Sequence, residues 1–354
     1  MTAPIRVGLV GTGKFARHHA SVWRTIPGVR LAGVHGADLE RLTGFAQATG
    51  VVPYDSYEPL LRACDLIDIA SANDTHAGYA LRAIPRVRGL LVEKPLATDV
   101  IRAETIQRAA AERGLTASVV SQHRFQRGVA GLKRLLDAGG LGPILRVRAR
   151  LRWPRDDAYF TASGGWRGDR TRAGGGVLIQ QGIHLIDLLQ WWFGEPEAVS
   201  ASTGPEPLAA GAVERDLMAT MEFVPGIPCD LTLSTKPSRD SIMAVEVEGR
   251  EGIARTDGET LWRHRGGLAN ALAALAARLR RHANASALLR RQCLDVLQAM
   301  RQGVPPQVTL TDGVCALRIV DALYRSAAQG RRIETTPQHH RGSTTASQRE
   351  TVYQ

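Results

Sequence analysis

The chain begins with a short apolar run, Ile5 to Val10, that breaks at once into Gly11-Thr12-Gly13-Lys14-Phe15-Ala16 and a helix-compatible stretch, Phe15 to Arg24. Similar apolar runs recur at Val29 to Val34, Leu66 to Ala70, Leu90 to Val92 and Thr116 to Val120. Helix-spaced segments lie between them at Leu39 to Thr49, Ala77 to Ile84 and Val100 to Arg113. Continuous apolar strands are buried on both faces, and their alternation with helices predicts a doubly wound parallel sheet to about residue 122.

Beyond that point the rhythm changes. Val129 to Ala138 reads as a helix, and Ile144 to Trp153 alternates as a half-buried strand does. Tyr159 to Arg172 is rich in Gly, Arg and Trp without periodicity and is expected to be a loop. Gly174-Gly175-Gly176 opens a helix from Val177 to Trp192. Strand patterns follow at Ala198 to Ser202, Leu217 to Val224, Cys229 to Ser234, Met243 to Glu248 and Gly252 to Thr256, with no long helix between them. That order predicts a mostly antiparallel sheet. Leu268 to Arg281, Ala287 to Arg301 and Asp312 to Ala328 are expected helices, and a polar tail closes the chain.

A length of 354 residues points to two domains, and 44% hydrophobic with 22% charged residues is ordinary for a globular protein. The net charge of +11 comes from scattered arginines, with only 5% aromatics and no zinc-finger or RNA-binding signature, so nucleic acid is not an expected partner. An anionic ligand stays open. The four cysteines are far apart with no CxxC, which argues against a disulfide framework or a metal site and for a reducing cytoplasm. No signal peptide or bilayer-length apolar run is evident, so no membrane association is expected.

Four stretches carry chemistry. In Gly11-Thr12-Gly13-Lys14-Phe15-Ala16, Gly11 permits a tight turn, Gly13 lets the backbone approach a pyrophosphate, and Ala16 keeps the helix on the strand. The second strand runs into His35-Gly36-Ala37-Asp38. Gly36 stands where an acid would hold the ribose hydroxyls of NAD, while Asp38 suits a helix cap. The small residues Gly36 and Ala37 leave room for a 2′-phosphate that Arg41 can pair with, which leans the choice between NAD and NADP slightly toward NADP. The third run ends in Ser71-Ala72-Asn73-Asp74-Thr75-His76, small and polar as a ligand crevice requires; His76 also suits an ordinary helix start. The fourth run ends in Glu93-Lys94-Pro95. Lysine otherwise occurs only at 14, 133 and 236. An ammonium can lose its proton where a guanidinium cannot. Gln122 follows the next strand in the same manner.

The glycine run leads into a helix on which Gln180, His184 and Asp187 fall at i, i+4 and i+7, on one face. His184 is the imidazole placed to act near neutral pH.

Together, GTGKFA, Glu93-Lys94-Pro95 and GGGVLIQQGIHLID at 174–187 resemble the glucose–fructose oxidoreductase, inositol dehydrogenase and MocA (Gfo/Idh/MocA) family, over Ile5 to Ile333. The resemblance implies an α/β chain with an N-terminal dinucleotide-binding Rossmann domain over 1–122. A C-terminal α+β domain with a large, mostly antiparallel open sheet would span 123–333; the tail at 334–354 is expected to be disordered from its polar composition. It implies an NAD(P)-dependent oxidoreductase acting on CH–OH groups of a polyol, sugar, cyclitol or nucleotide sugar. Lys94 would stabilise the reacting oxygen and His184 would take its proton. Many members carry an Asp one turn before the His; here it is Gln180, which cannot take a proton, so the acid–base role falls to His184 and Lys94. Glu93 is expected to orient Lys94 or a cofactor ribose. Arg124, Tyr159, Trp166, Arg167, Arg172 and Gln180 are expected at the substrate. The resemblance also implies a homodimer or homotetramer, for which an apolar sheet face including Leu231 and Leu233 would need a cover. The rival reading, a non-catalytic NAD(P)- or sugar-binding sensor, rests on Gln180 alone.

Overall fold

In a computed structural model, which describes residues 3–204, 213–264 and 285–335, the chain builds two sheets. The first has the order β3-β2-β1-β4-β5-β6, all parallel. Its strands are β1 (Ile5–Val10), β2 (Val29–His35), β3 (Pro53–Tyr54), β4 (Leu66–Ile69), β5 (Gly89–Val92) and β6 (Thr116–Val119). Every residue of β4 and β5 is buried, as a sheet covered on both faces requires. The two-residue β3 and the helix Tyr57–Ala63 are too short to show in the sequence pattern.

The second sheet has the order β13-β12-β11-β7-β10-β9-β8-β14. Its strands are β7 (Ile144–Arg152), β8 (Ala198–Thr203), β9 (Asp216–Phe223), β10 (Ile227–Ser234), β11 (Ile242–Gly249), β12 (Gly252–Thr256), β13 (Leu261–His264) and β14 (Ile333–Glu334). All pairs are antiparallel except β7 with β10. Strand β14 draws Glu334 into the sheet opposite Ala198, so the expected disordered tail does not begin at 334. The rest of that tail, and the expected helix Leu268 to Arg281, lie outside the described residues.

The alternation in β7 divides the second sheet. Val147, Ala149 and Leu151 are buried under the helix layer, while Arg146, Arg148 and Arg150 stand on the open face. Leu231 and Leu233 of β10 are 1% exposed and belong to the buried face, which corrects their expected place on the open one. The open face is ionic, with Arg146 paired to Asp230 and Arg148 to Glu246.

Two helices lock the sheets together. Ala285–Gln302 crosses back onto the first sheet, where Leu289, Cys293, Val296 and Leu297 pack with Val7, Trp23, Leu66, Leu91 and Val120. Its Gln292 amide bonds Ser118 and Val119, and its carbonyl oxygen accepts from the Ser121 N–H. Leu310–Gln329, closed at its start by a Thr309–Asp312 capping box, lies against β8 and the helix Val100–Glu112. Among the described residues no helix is long and apolar enough to cross a membrane.

Candidate active site

A cleft of about 290 Å³ opens where the strands of the first sheet end and the segment 159–180 covers them. The turn after β1 and the helix start that follows supply Gly11, Thr12, Gly13, Lys14 and Phe15; the turn after β2 supplies Gly36 and Ala37, and the helix Leu39–Thr49 supplies Arg41. Ser71, Ala72, Asn73 and His76 come from the loop after β4, and Glu93 and Lys94 from the end of β5. Tyr159, Trp166, Arg167, Arg172 and Gln180 form the opposite wall. Ala16 sits beneath, fully buried.

The first turn fits a dinucleotide. Gly11 has φ +121°, and a Cβ there would lie 2.5 Å from the Ala70 carbonyl oxygen, so only glycine serves. A Cβ at Gly13 would meet nothing within 4 Å, which leaves the backbone open to a ligand. The helix Lys14–Trp23 has no side-chain cap, so its first N–H groups are available to phosphate oxygens. Asp38 caps the next helix through the Arg41 N–H. Asn73 and His76 hold loops in place: Asn73 donates to the Ala173 carbonyl at 2.9 Å, and His76 Nδ1 lies 2.8 Å from the Pro95 carbonyl.

Lys94 faces the cleft, and its Nζ donates to the Gln180 carbonyl at 2.6 Å. Behind it lies a charged group that the sequence pattern does not reveal. His19 is 1% exposed, with Nδ1 2.7 Å from Asp68 Oδ2 and Nε2 2.9 Å from Glu93 Oε1. Trp23 Nε1 donates to the same Asp68 oxygen at 2.6 Å. The other Glu93 oxygen accepts the Lys94 backbone N–H at 3.0 Å. Glu93 therefore orients Lys94 through the main chain, and both its oxygens are engaged within the protein. Burial alone would lower the His19 pKa, but Asp68 and Glu93 outweigh it and raise it to about 10. Burial would raise Glu93, yet His19 and Lys94 hold it below the usual carboxylate range.

The helix after the glycine run differs from its expected geometry. Leu178–Gly182 is a π turn, and the α-helix runs Ile183–Phe193. The wider turn breaks the 3.6-residue phase, so Gln180 leaves the face that His184 and Asp187 share and lines the main cleft instead. The Gln180 amide donates to the carbonyls of Arg167 and Gly175, both at 2.8 Å. The His184 ring packs 4.6 Å from His123 and 5.6 Å from Trp153, and with Lys94 it lines a narrow side pocket off the main cleft. Asp187 turns to Arg124, whose Nε and Nη2 donate to it at 2.9 and 2.6 Å. Arg124 also reaches Asp312 and is 4% exposed, so it braces the domain instead of lining the cleft. Gln122 is likewise absent from the cleft wall. The start of the π turn is capped by Glu214, whose carboxylate accepts the N–H groups of Gly176 and Leu178 and the Tyr324 hydroxyl. A Cβ on Gly176 would lie 2.0 Å from the Glu214 carbonyl oxygen, so the glycine run is the condition of this approach.

Burial lowers the Lys94 pKa; Glu93 opposes the shift, and Arg167 and Arg155 add to it. Burial, with His123 and Lys94, pushes His184 well below the ordinary imidazole value. His184 is thus a neutral ring at neutral pH, able to accept a proton. The expectation that it titrates near neutrality does not fit this burial.

Residues 5–121 match the model of an oxidoreductase family NAD-binding Rossmann fold, and residues 133–335 match that family's C-terminal alpha/beta domain. A D-apiose dehydrogenase of Paraburkholderia graminis is 28% identical over 341 residues, 92% of this chain and 88% of that protein. A glucose-6-phosphate 3-dehydrogenase of Bacillus subtilis is 28% identical over 198 residues, a match spanning 56% of each chain. The structure of GenD2 from gentamicin A biosynthesis, in complex with NAD, superposes with a TM-score of 0.79 at 26% identity, covering 95% of this chain and 97% of that one. Both halves of the chain, the glycine turn and the Glu93-Lys94-Pro95 strand end lead to one conclusion: the chain belongs to the Gfo/Idh/MocA oxidoreductase family, with an N-terminal NAD-binding Rossmann domain.

Proposed function

We propose that this chain moves a hydride between NAD(P) and a secondary alcohol or ketone of a sugar, cyclitol or nucleotide sugar. The observation that carries the reading is Lys94. Its ammonium stands at the end of β5, in the same cleft as the dinucleotide turn, and is held from the other wall by the Gln180 carbonyl. The glycine turn, Gly36, Ala37 and Arg41 would hold the adenosine half of the cofactor, and Ser71, Ala72 and Asn73 the half nearer Lys94. The nicotinamide, when bound, accepts or returns the hydride.

The protein's part is to align the reacting carbon and move a proton. Lys94 donates to the reacting oxygen and stabilises charge developing on it. His184, neutral and beside Lys94, takes the hydroxyl proton. Tyr159, Trp166, Arg167, Arg172 and Gln180 enclose the substrate. The named activities of the D-apiose and glucose-6-phosphate 3-dehydrogenase relatives support this class of substrate. We further propose that the chain works in the cytoplasm, in keeping with four buried free cysteines, and as a homodimer or homotetramer joined through the open face of the second sheet. Offering NAD⁺ and NADP⁺ with a panel of sugars, cyclitols and nucleotide sugars, and following reduced nicotinamide, tests the central reading. Reduction with at least one of them is expected; none with any would overturn it.

A further inference from the structure

The wall facing Lys94 is built around Tyr159. The Arg167 guanidinium lies 5.1 Å from the Tyr159 ring and 4.4 Å from Trp166, and the Arg155 guanidinium lies 5.0 Å from Tyr159. The ring itself is anchored, because its hydroxyl accepts the Gln181 amide at 3.0 Å. Lys94 and Arg167 both line this end of the cleft, and Arg155 adds a third cation on the Tyr159 ring.

The neighbouring carboxylates are all committed elsewhere. Glu93 is shared by His19 and the Lys94 N–H, Asp74 pairs with Arg172, and Asp157 pairs with Arg215. Asp156 and Asp169 cap the short helices Asp157–Thr161 and Arg170–Ala173 that bound the expected loop, and Asp38 caps the helix at the cofactor end. Among the described residues no carboxylate pairs with Arg155 or Arg167; the Arg155 guanidinium donates only to the Pro154 carbonyl. Lys14 and Arg41 belong to the opposite end, where the dinucleotide phosphates would lie. Like charges gathered without a counter-ion repel, and fixed guanidiniums offer a planar fork that suits a carboxylate or phosphate. Stacking on aromatic rings holds that fork in place before a ligand arrives.

We propose that the substrate carries a carboxylate or phosphate group in addition to its reacting hydroxyl, and that Arg167, with Arg155 behind Tyr159, binds it. This rests on the oxidoreductase reading above and narrows it to an acidic sugar or cyclitol.

The test uses matched series: glucose, galactose and mannose, each as the free sugar, the uronate and the 6-phosphate, and myo-inositol with its 1-phosphate. Each is assayed for kcat/KM with NAD⁺ and NADP⁺. An ion-paired hydrogen bond contributes about 1.5–3 kcal/mol, or roughly 10- to 100-fold, so in at least one series a charged member should exceed its neutral partner by about that factor. Whether uronate or phosphate gains distinguishes the two anions. Arg167→Gln and Arg155→Gln should each erode the preference through KM. If no member turns over, thermal shifts of the enzyme–NADH complex serve instead, and charged ligands should stabilise it by an amount lost in Arg167→Gln. Neutral members equal to charged ones throughout, or a preference that survives both substitutions, would overturn the proposal. Hydride transfer from neutral sugars alone would do so while leaving the oxidoreductase reading standing. No transfer from any sugar, cyclitol or nucleotide sugar would instead remove that reading.

Discussion

His19 Nε2 lies 2.9 Å from Glu93 Oε1, with the other ring nitrogen taken by Asp68, so both nitrogens of a buried imidazole face carboxylates. Both must donate, and the ring is an imidazolium. Its partner Glu93 fixes the Lys94 main chain, which ties the first helix to the reactive strand end.

Removing this ring should leave two buried carboxylates uncompensated. His19→Ala is expected to cost about 3–5 kcal/mol of stability, the usual loss when one partner of a buried ion pair is deleted. The pH dependence follows from the raised pKa. The stabilisation from His19 is fully present below pH 6.5 and is lost as pH rises toward about 10. Denaturant unfolding at a series of pH values checks both statements. A wild-type stability that stays flat from neutral pH to about 10, with no larger loss in the variant at neutral pH, would contradict them.

The proton acceptor should announce itself on the acid side. His184 is held well below the ordinary imidazole value, and it must be neutral to act. Turnover should therefore stay level through neutrality and fall only at acid pH, as His184 gains a proton. The pH profile of kcat is the measurement. A transition centred near neutrality that disappears in His184→Ala would place the ring in a wetter setting than this one.

The 2′-phosphate of NADP should be read by Arg41. Gly36 brings no carboxylate to the ribose hydroxyls, and a Cβ there would come within 2.7 Å of Thr12 Cγ2, so a larger residue would have to displace Thr12. NADP(H) should bind at least as tightly as NAD(H). Arg41→Ala should weaken NADP(H) by roughly 10-fold or more, as loss of a charge-assisted hydrogen bond does, and leave NAD(H) unchanged. Fluorescence titration of both cofactors decides it; a strong preference for NAD(H) in the wild type would refute the choice.

Assembly should follow the ionic face of the second sheet. Arg146–Asp230 and Arg148–Glu246 stand there in place of the apolar face expected from sequence. Light scattering at micromolar concentration should give a dimer or tetramer, and added salt should weaken it. A monomer throughout would exclude this interface.

Much of this architecture is legible before any coordinates. Apart from β3 and the helix Tyr57–Ala63, strand and helix positions from Ile5 to Val119 follow from apolar runs and glycine turns, because a doubly covered parallel sheet writes itself as hydrophobic blocks. Lys94 stands out as a rare lysine at a strand end. The misses have physical causes. Asp68 sits in a strand, Leu66–Ile69, that is wholly buried, and an acid there needs a partner, yet His19 is 49 residues away and pattern alone does not link them. The π turn at Leu178–Gly182 shifts every side chain beyond it, which a 3.6-residue template does not register. Arg124 follows a strand as a ligand residue does, but its partners Asp187 and Asp312 come from two distant helices. Glu214 acts on the glycine run across the fold, with no local signal at all.

The account turns on Lys94, and stopped-flow reduction of bound NAD(P)⁺ by a substrate found in the screen tests it most directly. Lys94→Ala removes the donor at the reacting oxygen while leaving the glycine turn intact. Cofactor affinity should be unchanged, and the rate of hydride transfer should fall by about 10²–10⁴-fold, the range typical of a positioned acid–base group. Hydride transfer at the wild-type rate in Lys94→Ala would show that the chemistry lies elsewhere in the cleft.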